Sequence, residues 1–340
     1  MELSTLLDPY PCIRDIPGSN TWISVHEILN GDSNERKFRV KNQNSQRFMI
    51  RLAKNTLYDR KKNEFEYMKR IHELEVPIPQ PIAFGICDGG KSIYTMLSWI
   101  YGDSDPKRLA ALPKEIQYML GIEAGKFLKT IHYNMFINCL DYWYGEMDDR
   151  IKKFQTYCKR GTLNNACSIK IIDYLKENQS LVANQPQTLL HGDFHMDNFV
   201  LSYENNFNLI DFEKCAIGDP MADMGPMISR MRQISLPFMI GVLDCYFNYQ
   251  INVQELRLIA FYASMYALEQ MVVTARRGDA EHYQAAFERA KILVKDYNGL
   301  KSFVPAWYKL MPPFRPKKRM SGKKDAEIRD PEEDEDNLPE

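Results

Sequence analysis

The sequence contains no CxxC pair. Its 7 cysteines, at positions 12, 87, 139, 158, 167, 215 and 245, are scattered. That removes support for a zinc site or a thioredoxin-like centre. An odd number without a paired framework fits reduced thiols in the cytosol. Net charge is also scarce: 44 Lys and Arg stand against 45 Asp and Glu. A near-neutral chain offers no bulk attraction for phosphate, so binding of nucleic acid through overall charge is not expected. The opening residues MELSTLLDPY lack the basic and apolar regions of a signal peptide. Uncharged apolar runs are short; Phe238 to Leu243 is one of the longest, far below the roughly 20 residues of a membrane span. No internal repeat is visible. These absences predict a soluble, cytoplasmic protein with no membrane or nucleic-acid partner. Oligomeric state leaves no signal.

What is present is ordinary globular composition, with 44% hydrophobic and 12% aromatic residues in 340. Single cores stop growing at roughly 250–300 residues, so two lobes are expected. The charge balance hides a zwitterionic end. Residues 315–324 carry six cations and no acid, and residues 325–340 carry nine acids and one Arg. Without residues 312–340 the body holds 37 cations and 36 acids. The tail reads as a solvated terminus dispensable for activity; an anionic-surface patch is the alternative.

The first hundred residues alternate like strands. Residues 22–29, 38–40, 47–52, 82–86 and 92–100 are strand-like, and 59–74 has a helical period with Phe65, Met68 and Ile71 on one face. Between the first two strands lies Gly31-Asp32-Ser33-Asn34. Small residues there allow backbone N–H groups to approach phosphates, although most such strings are plain turns. Arg51 sits in the third strand and Glu64 in the following helix. They read either as a phosphate-reaching cation with its partner acid, or as an ordinary surface cation and a solvated acid. Beyond residue 112 helices dominate, at about 112–132, 146–158, 168–183, 220–234, 237–249, 253–276 and 280–297. Short strands interrupt them at 188–191, 199–202 and 206–211. The 253–276 helix is apolar nearly all round and is expected to be buried.

The chemistry concentrates in one window, Leu189-Leu190-His191-Gly192-Asp193-Phe194-His195-Met196-Asp197-Asn198-Phe199-Val200-Leu201, followed by Ile210-Asp211-Phe212-Glu213. Asp193 and Asn198 have the spacing of Asp and Asn in the kinase catalytic loop HRDxxxxN. Asp211 then corresponds to the metal-binding Asp of DFG. In that pattern Asp193 accepts the proton of the attacking hydroxyl, and Asn198 and Asp211 offer Mg²⁺ the hard oxygens it requires. His191 and His195 read as braces of the loop. A metal cluster of His191, His195 and Asp197 is the alternative, lacking a third His or a soft ligand nearby.

HGDFHMDN followed by LIDFE resembles the aminoglycoside phosphotransferase / choline kinase family, over about residues 21–308. The resemblance implies an α+β, bilobal, protein-kinase-like fold. Its N-terminal nucleotide-binding lobe (residues 1–97) would hold an antiparallel sheet and one main helix, and its C-terminal catalytic and acceptor-binding lobe (98–311) would be mostly helical. Gly31, Ser33 and Asn34, with Phe38 and Val40 after them, are similar to the family's first nucleotide loop. Arg51 and Glu64 stand at the positions of its strand cation and helix partner. Arg replaces the Lys of many kinases, and guanidinium still suits phosphate. Ser98 and Ile100, before Gly102, resemble the adenine-carrying hinge. Asp219 and Asp223 fall in a GDPxxD-like segment that braces the loop. Implied with these are ATP or GTP, Mg²⁺ and transfer of the γ-phosphate to a small-molecule hydroxyl acceptor. An aminoglycoside-type antibiotic, choline and a sugar are candidate acceptors.

Residues 191–311 hold 14 acids and 11 cations, which mildly favours a cationic acceptor. Aromatics such as Tyr246, Tyr262 and Tyr266 are read as core, with a cage for a quaternary amine as the alternative. A silent nucleotide-binding regulatory module is a second functional reading. A protein kinase is a third, disfavoured because no APE follows Glu213.

Overall fold

The structure is a computed structural model that describes residues 6–29, 35–137, 142–202 and 207–309. The chain divides into two compact units. One is Met1–Ser104 with Asn198–Glu213; the other is Asp105–Asp197 with Lys214–Glu340. This differs from a single cut after residue 97: the segment carrying Asn198 and Asp211 belongs with the N-terminal unit. Gly31, Ser33 and Asn34, and the tail 312–340, lie outside the described residues.

The first unit is built on β1 (Trp22–Ile28), β2 (Arg36–Asn42), β3 (Arg47–Lys54), β4 (Pro81–Cys87) and β5 (Ser92–Ser98). They form one antiparallel sheet in the order β1-β2-β3-β5-β4. Alternation in β2 buries Phe38 and Val40, which meet Trp22, Val25 and Ile50. Residues ahead of the sheet join that core: Ile13 and Ile16 are fully buried against it. Helix α1 (Tyr58–Glu73) buries Phe65, Met68 and Ile71, the face its period predicts. The same helix also buries Lys61 and Glu64, whose charges need partners. A separate hairpin, β8 (Phe199–Leu201) and β9 (Phe207–Leu209), completes this unit. Its Phe199 and Phe207 rings stack with centroids 4.3 Å apart.

The second unit is mostly helical. Its elements are α2 (Pro106–Ala110), α3 (Lys114–Asn134), α4 (Trp143–Lys159), α5 (Ala166–Glu177), α6 (Met224–Met231), α7 (Leu236–Tyr246), α8 (Val253–Arg276) and α9 (Ala280–Asp296). A small sheet, β10-β7-β6, pairs β7 (Gln187–Leu190) with β6 (Phe136–Ile137) and β10 (Ala216–Gly218). The expected helix at 220–234 is instead a 3₁₀ turn, Pro220–Asp223, followed by α6. Asp219 accepts from the Met221 N–H and starts that turn, as an N-cap does. Residues 168–183 likewise divide into α5 and a 3₁₀ turn at Gln179–Val182. The short strands β6 and β10 carry too few residues for any periodic signal. Helix α8 is long and apolar enough to cross a membrane by length and composition, which the expectation of only short apolar runs missed. It is largely buried among the other helices of this unit.

Candidate active site

Strand β7 is buried along its whole length and ends at Leu190, delivering the chain into His191-Gly192-Asp193. The turn is fixed from below by Asp223. Its Oδ2 accepts from the His191 N–H at 2.8 Å and its Oδ1 from the Gly192 N–H at 2.7 Å. Asp223 is fully buried, and its Oδ2 also lies 3.1 Å from His132 Nε2. The His132 Nδ1 is 2.8 Å from the Tyr246 hydroxyl. Gly192 has φ +81°, and a Cβ there would lie 2.1 Å from the Lys214 carbonyl oxygen. Only glycine fits that position.

Asp219 belongs to the same support. It is buried, its Oδ2 accepts from the Tyr262 hydroxyl at 2.8 Å, and that hydroxyl accepts from Trp143 Nε1 at 2.7 Å. Burial pushes the Asp219 carboxyl up to about 6, against the lowering effect of the Met221 N–H and Tyr262 bonds.

Asp193 is flanked by one ammonium and one imidazole. Lys214 Nζ donates to its Oδ2 at 2.7 Å, and His195 Nε2 lies 3.2 Å from its Oδ1. His195 is buried, with Nδ1 3.4 Å from Asp197 Oδ2, so the ring stands between two carboxylates. Arg230 in turn donates to Asp197. Burial alone would raise the Asp193 carboxyl. The hydrogen bond and charge of His195, with those of Lys214, outweigh it and hold the group well below the usual carboxylate range. The site thus presents an ionised carboxylate held between an ammonium and an imidazole.

Within the first unit, hairpin β8–β9 aligns the other two candidates. Phe199 pairs with Leu209, and one step further the Ile210 N–H donates to the Asn198 carbonyl at 2.9 Å. Asn198 and Asp211 therefore leave the same end of the hairpin. Asp211 has φ +65°, a left-handed conformation uncommon outside glycine and tolerated best by Asn and Asp.

Arg51 is buried and reaches this segment. Its Nη1 lies 3.2 Å from Asp211 Oδ1 and its Nη2 3.3 Å from Glu213 Oε2, while its Nε donates to Glu35 Oε2 at 2.5 Å. The expected partnership with Glu64 is not a direct one. Glu64 pairs instead with Lys61, one turn earlier on α1, at 2.6 Å, and Lys61 also pairs with Glu35. The reason is reach: a lysine at i−3 on the same helix meets the carboxylate before the strand guanidinium does. Four carboxylates (Glu35, Glu64, Asp211, Glu213) pair with two cations (Arg51, Lys61), and Arg60 donates to the Glu213 carbonyl at 2.8 Å.

At the expected hinge, the Ser98 N–H and Oγ are both committed to Gln80, the N–H donating to its carbonyl at 2.9 Å and Oγ accepting from its N–H at 2.8 Å. Ile100 lies just beyond the strand, and Asp103 then bridges to Leu201 of β8. Tyr246 and Tyr262 are buried in the core, with their hydroxyls bonded to His132 and Asp219, as the core reading of these aromatics expects. No group of three or more His, Cys, Asp or Glu able to hold a metal is found among the described residues. Sequence reasoning missed Glu35, Lys61, His132, Lys214 and Arg230. The lysine three residues before Glu64 was the one local signal available.

The model of the phosphotransferase enzyme family (APH) matches residues 24–256. The chain belongs to this phosphotransferase family. Solved structures share its fold. Aminoglycoside phosphotransferase APH(4)-Ia, as a thermostable mutant in the apo form, has a TM-score of 0.60 at 15% identity, over 81% of this chain and 94% of that one. APH(2")-IIia, in complex with GDP and kanamycin, has a TM-score of 0.60 at 14% identity, over 86% and 98%. A choline/ethanolamine kinase family protein from Mesorhizobium loti has a TM-score of 0.59 at 14% identity, over 86% and 95%. No curated protein matches the chain.

Proposed function

We propose that this phosphotransferase moves the γ-phosphoryl group of ATP or GTP onto a hydroxyl of a small molecule, with Asp193 as the proton acceptor. The single observation that carries the reading is the Asp193 carboxylate, half-buried, oriented by His195 and Lys214 and kept ionised. The acceptor hydroxyl gives its proton to Asp193 as its oxygen attacks the γ-phosphorus. The bond to the β,γ-bridging oxygen breaks, and the nucleoside diphosphate leaves. Positioning and charge neutralisation are most of what this reaction needs.

The residues fit Mg²⁺. Asn198 and Asp211 offer hard oxygens from one hairpin end. Asn198 and Asp211 would hold the ion, which supplies neutralisation of phosphate charge when bound. Arg51 orients Asp211 and Glu213 from the sheet. The neighbours with GDP and kanamycin, or with ADP and hygromycin B, support nucleotide and small-molecule binding at this fold.

The test is acceptor-dependent nucleotide consumption across aminoglycosides, choline, sugars and hydroxy acids. Phosphorylated product from one class supports the reading. Nucleotide binding without any phosphorylated product across all classes points to the silent module and contradicts it.

A further inference from the structure

Lys214 ends the short 3₁₀ turn Phe212–Lys214. Its backbone carbonyl lies against Gly192, too close for any Cβ there. That approach fixes where the Lys214 side chain starts, beside the residue that precedes Asp193. The ammonium then meets Asp193 Oδ2 at 2.7 Å. Among the described residues, Asp193 is the only carboxylate with which Lys214 forms an ion pair. The lysine side chain is 58% exposed and the Asp193 side chain 14%. A pair with one partner so exposed contributes little, so the ammonium leaves Asp193 at small cost. The other carboxylate oxygen, Oδ1, is buried beside His195.

Two demands on Asp193 pull against each other. The ammonium helps keep the carboxylate ionised, as a proton acceptor must be. The same ammonium disfavours the protonated acid that forms during transfer, because protonation removes the charge it is paired with. The conflict disappears when the ammonium moves off as the proton arrives. A new partner lies close. A hydroxyl that gives its proton to Asp193 lies within about 3 Å of the carboxylate. Its oxygen attacks phosphorus from about 3–3.5 Å. The transferred phosphoryl group is therefore within about 6 Å of the carboxylate that Lys214 touches. The flexible four-carbon stem of a lysine spans that gap by rotation alone.

We infer that Lys214 is a catalytic residue with two stations: its ammonium rests on Asp193 and passes to the oxygens of the phosphoryl group during transfer. The inference rests on the phosphotransferase reading above, with Asp193 as proton acceptor, and adds a protein cation at the reacting atoms. The acceptor oxygen bonds to the γ-phosphorus, the bond to the β,γ-bridging oxygen breaks toward the diphosphate, and the hydroxyl proton goes to Asp193. Lys214 exchanges no proton. Asp193 loses its charge in this step while the phosphoryl oxygens keep theirs, so the ammonium follows the charge that remains.

The test needs no knowledge of the acceptor. Aluminium fluoride bound with a nucleoside diphosphate mimics the phosphoryl group in flight. Binding of ADP and of GDP, each with Mg²⁺, to the full-length protein is measured by calorimetry with and without aluminium fluoride. The proteins are wild type, Lys214→Met, Lys214→Arg and the double variant Lys214→Met with Asp193→Asn. In wild type, aluminium fluoride should tighten diphosphate binding. Lys214→Met should reduce that gain by about 10- to 100-fold and leave affinity for the diphosphate alone unchanged. Lys214→Arg keeps the charge and should retain part of the gain. The double variant should stay as weak as Lys214→Met. A full gain in Lys214→Met overturns the inference: the lysine then only props Asp193. Recovery of the gain in the double variant also overturns it, because the loss then came from the bare Asp193 charge. A wild type that binds neither diphosphate, or gains nothing from aluminium fluoride, contradicts the phosphotransferase reading itself.

Discussion

Lys214 Nζ donates to Asp193 Oδ2 at 2.7 Å, placing a largely exposed ammonium on the proposed base. The contact helps keep Asp193 ionised, and it also occupies one of the oxygens that must receive a proton. Lys214→Met should raise the Asp193 pKa. A base works only when deprotonated, so activity is lost as pH falls through its pKa. The acid limb of kcat/KM against pH should therefore move to higher pH in the variant. An unmoved acid limb would separate Lys214 from the base.

The buried Lys61 gives a stability prediction. Lys61→Met leaves Glu35 and Glu64 without their nearest cation. Removing one partner of a buried ion pair destabilises by about 3–5 kcal/mol. The denaturation midpoint should fall accordingly, and Lys61→Met with Glu64→Met should recover part of the loss. If the single substitution leaves the midpoint unchanged, the network does not bear on stability.

Gly192→Ala should be severe. A Cβ would meet the Lys214 carbonyl at 2.1 Å, in a backbone conformation that L-residues avoid. The turn carrying Asp193 must then shift, and turnover should drop by about 100-fold, as small misplacements of a catalytic group do. Ordinary turnover in this variant would mean that the loop is not held as tightly as its hydrogen bonds to Asp223 indicate.

Asp219 should make stability depend on pH with an unusual sign. Its folded pKa is raised to about 6, so between about pH 4 and 6 the folded state binds more protons than the unfolded one. Stability from this group falls as pH rises through that window, by about 3 kcal/mol for a shift of about two units. Asp219→Asn keeps the cap and removes the titration. Denaturation of wild type and variant at pH 4 and 7 should show the difference; parallel curves would refute it.

Much of this was legible in the sequence because it rests on periodicity and spacing. Phe38 and Val40 alternate in β2, Phe65, Met68 and Ile71 share a face of α1, and α8 runs over Val253–Arg276 as its apolar pattern predicts. The Asp193–Asn198–Asp211 spacing singled out the loop and hairpin. What was not legible depends on contacts far apart in the chain. His132 meets Asp223 across 91 positions, and Arg51 meets Asp211 across 160. No local pattern marks such pairs. The Arg51–Glu64 expectation failed for a related reason: several carboxylates competed for one guanidinium, and Lys61 was nearer to Glu64.

The most direct measurement compares wild type with Asp193→Asn, in single-turnover phosphotransfer to whichever acceptor the panel identifies. Nucleotide affinity is measured alongside. The substitution keeps shape and removes the proton-accepting charge, so transfer should slow by about 10²- to 10⁴-fold with nucleotide affinity unchanged. Undiminished transfer by Asp193→Asn would contradict the assignment of Asp193 as the base.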